Sequence, residues 1–174
     1  MSLICARNYG NKIIVAADTR VCDSEGLIFS ESEKKIMMVD KNIIVGSCGD
    51  VDIMKEFFSY VKRVPSTNIP TNVVDAHKFL TEFVKEVKYK EYNISNQCFL
   101  FVVDDKIIPM YYTSDNDVFS YDNDYGFCAL GVPKEYAIAL MDEGYTPQGA
   151  IIHAAKRYSC INDKIYELEI NLRK

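Results

Sequence analysis

The residues best suited to chemistry sit at the beginning of the chain. Met1 precedes Ser2, a small residue of the kind that permits removal of an initiator methionine. Removal would leave Ser2 with a hydroxyl nucleophile and a free α-amine. An unperturbed α-amine titrates at roughly 7.7–8.0, close enough to neutrality to act as a general base. One residue then supplies both nucleophile and base. Serine is common after an initiator methionine, so the pairing gains meaning only from its surroundings. Asp18, in the run "KIIVAADTR", lies sixteen residues after Ser2, and "SEKKIMMVDKNIIVGSCGD" carries Lys34, Lys35 and Gly49.

Other chemistries find less support. Neither GxxxxGK followed by Ser or Thr nor GxGxxG occurs, so nothing suggests a bound nucleotide. A Ser-His-Asp triad would need His77 or His153, and both fall inside helical apolar patterns. The cysteines at 5, 22, 48, 98, 128 and 160 show no CxxC spacing and no histidine at ligand distance. Cys5, Cys48, Cys98 and Cys128 lie in apolar runs, where a reduced thiol behaves as a small hydrophobe. The acidic stretch "TSDNDVFSYDNDYG" at 113–126 lacks the spacing of a calcium loop and reads as a solvated hairpin. We therefore expect no metal and no cofactor.

Composition sets the outer bounds. The chain has 174 residues, 48% of them apolar, and a net charge of -5 from 20 basic and 25 acidic side chains. That length supports a core within one domain spanning 1–174. An acidic balance argues against nucleic acid, whose binders present a basic face. No apolar run approaches the roughly 20 residues of a membrane helix. The opening residues also lack the basic and apolar segments of a secretion signal, so a cytoplasmic location is expected.

The elements that must position Ser2 follow from periodicity. Residues 2–9 and 12–17 read as a hairpin, and 35–39 with 42–47 as a second strand pair. Residues 21–33 read as a polar connection with a short Leu-Ile-Phe break. Asp50 caps a helix carrying Ile53, Phe57, Tyr60, Val61 and Val64, which Pro65 closes. A second helix opens near Thr71 or Asn72. Strands then recur at 97–103, 107–113, 118–121 and 126–130, followed by helices at 134–142 and from Thr146 through Tyr158, and a last strand at 164–170. Strand pairs alternating with helix pairs predict an α+β fold with two antiparallel sheets face to face and helices outside.

The quoted stretches resemble the N-terminal half of proteasome β-type subunits and the bacterial HslV-type peptidases. Those families have a strand ending in Ala-Asp-Ser/Thr-Arg, a lysine opening the third strand and a later small-residue turn. They belong to the N-terminal-nucleophile hydrolases, a four-layer αββα sandwich. Their catalytic threonine lies sixteen residues before the aspartate, which in this chain selects Ser2. The resemblance implies that Ser2 is the nucleophile, Asp18 the acid that orients a catalytic lysine, and the Gly49 N–H the oxyanion donor. Context makes Lys35 that lysine, with one extra residue in the 21–33 connection, whereas strict counting selects Lys34. It further implies that Val21, Glu33, Ser47 and Val51 border the substrate side-chain pocket. A cationic Lys35 would lower the pKa of the Ser2 amine by like-charge repulsion and keep it a base.

The C-terminal half is similar more loosely. In "ALGVPKEYAIALMDEGY" Gly131, Tyr136 and Ala137 fit, but Val132 stands where the family has serine and Pro133 where it often has glycine. Valine can neither donate nor accept a proton. The family's Asp-x-x-Ser support is replaced by residues 158–161, with Asn162 and Asp163 as polar neighbours. Serine also lacks the methyl that restrains a threonine rotamer.

The resemblance implies a peptidase acting on peptides or unfolded protein, built as ring-shaped homo-oligomers and often served by an ATP-dependent unfoldase. Two alternatives stay open: a non-catalytic assembly subunit of the same fold, and an N-terminal-nucleophile amidase acting on a small amide.

Overall fold

In the computed structural model the described residues are 2–89, 97–112, 118–121 and 123–172. The chain begins with β1 (Leu3–Asn8) and β2 (Lys12–Asp18), followed by the short β3 (Val21–Cys22) and β4 (Ile28–Ser30). Next come β5 (Ile36–Asp40), β6 (Ile43–Cys48), α1 (Val51–Arg63), a 3₁₀ turn (Ser66–Asn68) and α2 (Val73–Tyr89). The second half holds β7 (Cys98–Val103), β8 (Lys106–Tyr112), β9 (Val118–Ser120), β10 (Phe127–Gly131), α3 (Lys134–Asp142), α4 (Pro147–Ala155) and β11 (Ile165–Asn171).

Two antiparallel sheets form the middle layers. One has the order β10-β1-β2-β11 and the other β5-β6-β7-β8-β9. Strand alternation explains how each sheet is buried on both faces. Ile4, Ala6, Ile13, Val15 and Ala17 point to Ile36, Ile44, Leu100 and Val102 of the second sheet. On the opposite face Leu3, Cys5, Ala16 and Ala129 meet Ala137, Met141, Ala150 and Ala154 of α3 and α4. The small residues there let those helices approach the sheet closely. The outer face of the second sheet packs on α1 and α2 through larger side chains, with Phe57 at the centre. Its ring lies 4.8 Å from Phe99, 5.3 Å from Phe83 and 5.9 Å from Phe101, centre to centre. The result is the expected αββα sandwich.

Caps behave as their chemistry requires. The Asp50 carboxylate accepts hydrogen bonds from the Asp52 and Ile53 N–H groups, and the Thr146 hydroxyl accepts from Gly149 N–H. Three expectations need adjusting. Residues 21–33 contain the β3–β4 ribbon, in which Cys22 is buried but Ile28 and Phe29 are both exposed, so no alternation marks it in the sequence. The last helix ends at Ala155 rather than Tyr158, where Arg157 N–H bonds back to Ala154 O at three-residue spacing and tightens the last turn. Lys35 lies just before β5 rather than within it. Of the acidic stretch at 113–126, residues 113–117 and 122 lie outside the described residues, as does Met1.

Candidate active site

β1 is an inner strand, and that ties down the start of the chain. Ile4 pairs with Ala17 on one side and Leu130 on the other, while Leu3 pairs with Gly131. Leu3 N–H donates to Asp18 Oδ1 at 2.8 Å, and Ser2 O accepts from Val132 N–H at 3.2 Å. Gly131 has φ +111°, and a Cβ there would lie 1.8 Å from Ser2 O. Only glycine lets β10 pass this close to Ser2.

Beside Ser2, Asp18 and Lys35 form a buried ion pair. Lys35 Nζ donates to Asp18 Oδ1 at 2.7 Å and to Arg20 O at 2.6 Å. Asp18 Oδ2 accepts from Arg20 N–H at 3.0 Å, so both carboxylate oxygens are engaged. Burial pushes the Asp18 carboxyl above the usual range, and the Lys35 ammonium and the two N–H donors oppose that rise. Lys35 is itself held from behind, since its carbonyl accepts Ser47 N–H at 3.0 Å. Lys34 is exposed and turns the other way, with its ammonium 4.5 Å from the centre of the Tyr166 ring.

Ser2 and Gly49 line one cleft of roughly 820 Å³, together with Val21 and Val51. Gly49 adopts φ +130°, a conformation that favours glycine, at the turn from β6 into α1. Glu33 and Ser47 do not line that cleft. Glu33 N–H donates to Thr19 O, and fully buried Ser47 accepts a hydrogen bond from Gln97 Nε2 at 2.7 Å. Cys48, Cys98, Tyr111 and Lys134 also line the cleft and carried no functional signal in the sequence. The histidines lie elsewhere: His77 Nδ1 is 3.5 Å from Ser120 Oγ, and His153 packs on Tyr145.

The loop after α4 closes on the same corner. Asn162 Oδ1 accepts Thr19 N–H at 3.0 Å, and Arg20 donates to Ser159 O at 2.6 Å. Asn162 thus supports the Asp18-Thr19-Arg20 turn from 143 residues away. Val132 is 52% exposed at the site where the resemblance calls for serine. Among the described residues no group of three or more His, Cys, Asp or Glu is placed to hold a metal ion, and no helix is long and apolar enough to cross a membrane.

The sequence model of the proteasome subunit family matches residues 3–158. The chain belongs to the proteasome subunit family. No match was found among curated protein sequences. Solved structures of the same fold include the BPH protein of Thiobacillus denitrificans in complex with epoxomicin, at 15% identity and TM-score 0.80, covering 99% of this chain and 100% of that one. The same protein in its other structure gives 15% identity and TM-score 0.79, with 98% of each chain covered. Eukaryotic HslV from Trypanosoma brucei follows at 14% identity and TM-score 0.68, covering 97% of this chain and 99% of that one. As a proteasome-family chain it has the N-terminal-nucleophile sandwich, and the matched segment contains Asp18, Lys35, Gly49 and Gly131.

Proposed function

We propose that this protein is a peptidase that uses Ser2 as an N-terminal nucleophile once Met1 is removed. The Ser2 hydroxyl attacks a peptide carbonyl and passes its proton to the α-amine of the same residue. The Gly49 N–H stabilises the oxyanion, and Lys35, oriented by Asp18, favours the deprotonated amine and the developing alkoxide. The amine then gives its proton to the departing amine of the substrate, leaving an acyl ester on Ser2. Water attacks that ester, releases the acid and restores the hydroxyl. The observation that carries this reading is the buried Lys35–Asp18 pair, which is hydrogen-bonded to the backbone of Leu3 beside a cleft that Ser2 and Gly49 share.

The same reading makes the protein a cytoplasmic, ring-shaped homo-oligomer acting on peptides or unfolded protein, with an ATP-dependent unfoldase as a compatible partner. Exposed Val132 favours a second reading, a non-catalytic assembly subunit, because it removes the hydroxyl the family places there. An amidase acting on a small amide would use the same groups as the peptidase.

Intact mass of the purified, assembled protein separates the first two. A species without Met1 that gains one epoxomicin mass, mapped to Ser2, is the expected result. Retained Met1 with no adduct and no peptide hydrolysis would establish the assembly subunit instead.

A further inference from the structure

Gln97 is a buried polar residue that the sequence did not single out and the chemistry above does not use. It is 1% exposed, and both ends of its carboxamide reach the segment that carries Gly49. Nε2 donates to Ser47 Oγ at 2.7 Å and lies 3.5 Å from Asp50 O. Oε1 accepts Asp50 N–H at 2.8 Å. One amide group therefore spans residues 47–50, with Cys48 and Gly49 between its contacts.

Register explains why a side chain is needed. The β6–β7 ladder ends at the Cys48–Cys98 pair, so Gly49 lies one step beyond the last rung, opposite Gln97. Gln97 O is already committed to Tyr112 N–H of β8 at 3.0 Å, which anchors the residue from the far side. Its carboxamide takes over where the ladder stops. On the helix side, the Asp50 carboxylate caps α1. The Gly49 turn is thus clamped between a strand end and a helix cap, although glycine at φ +130° has the least intrinsic restraint of any residue.

We infer that Gln97 is a positioning residue that fixes the Gly49 N–H toward the carbonyl attacked by Ser2. This inference rests on the peptidase reading. An oxyanion donor acts mainly in the transition state, so loosening it lowers kcat and leaves KM nearly unchanged. Outright loss of a donor costs about 10²–10³ in kcat. Misplacement costs less, and a fall of about 10- to 100-fold is expected for Gln97→Leu.

Three variants of the full chain, assembled as the wild type is, test it with a fluorogenic peptide and with epoxomicin labelling to count competent sites. Gln97→Leu should lower kcat per labelled site about 10- to 100-fold with KM within threefold. Ser47→Ala removes one contact and should lower kcat about 3- to 10-fold. Gln97→Glu keeps the acceptor for Asp50 N–H, and the Ser47 hydroxyl can rotate to donate to it, so this variant should recover at least a third of the lost activity. A Gln97→Leu kcat per labelled site within threefold of wild type, or a loss confined to KM or to the number of labelled sites, would overturn the positioning role alone. A wild type that neither labels nor cleaves would overturn the peptidase reading and this role with it.

Discussion

The Lys35 ammonium lies 2.7 Å from the Asp18 carboxylate, with 1% and 0% of the two side chains exposed. Removing one partner of such a pair strands the other in a medium of low polarity, at a cost of about 3–5 kcal/mol. Lys35→Ala should therefore destabilise the protein by that order in a guanidinium unfolding titration and abolish peptide hydrolysis. Lys34→Ala removes only a surface contact with Tyr166 and should stay within about 1 kcal/mol of wild type with activity intact. The reverse pattern would assign the lysine role to position 34.

Asp18 carries a carboxyl raised by burial, and this fixes the sign of its pH dependence. The native protein takes up a proton there at a higher pH than the unfolded chain does. Lowering the pH through that window therefore adds native stability relative to the unfolded state from this group, while weakening the carboxylate's hold on Lys35. Activity should fall on the acid side with a midpoint above the ordinary value of about 3.9. Carbon-13 detection of the Asp18 carboxyl checks this directly, and a midpoint at or below the ordinary value would contradict it.

Gly131 and Gly144 make a controlled pair. Both have positive φ, +111° and +95°, but a Cβ would strike Ser2 O only at Gly131, with nothing within 4 Å at Gly144. Alanine at either position should cost about 1–3 kcal/mol from backbone strain. Gly131→Ala should in addition displace Ser2 and abolish epoxomicin labelling, whereas Gly144→Ala should label normally. Equal labelling of the two variants would remove Gly131 from the site's geometry.

Cys5, Cys48 and Cys128 are buried thiols whose pKa values burial raises, that of Cys128 to about 12. Thiolate is the reactive form, so these three should resist iodoacetamide at neutral pH in the folded protein. Guanidinium should expose all six cysteines to alkylation. Peptide mapping that found Cys128 alkylated at the rate of a free thiol in native buffer would contradict its burial.

How much was legible differed from residue to residue. Most strands and helices were, because burial on one face imposes a period of two or of 3.6 on nearby residues. The β3–β4 ribbon escaped notice because both of its faces meet solvent around Ile28 and Phe29. Gln97 escaped because its partners, Ser47 and Asp50, are about fifty residues away and leave no local pattern.

By itself the sequence determined the alternation of strand and helix pairs, the caps at Asp50 and Thr146, and the hairpin that sets Asp18 against the start of β1. These are properties of neighbours along the chain, or of two strands joined by one short turn. Only the tertiary structure showed which of Lys34 and Lys35 meets Asp18, because adjacent residues entering a strand face opposite ways and Lys35 is the one that reaches the carboxylate. It also decided that Glu33 and Ser47 lie off the cleft, and that Asn162 braces Thr19 from 143 residues away. Those outcomes depend on which distant backbone comes within hydrogen-bonding distance, and packing of the two sheets sets that.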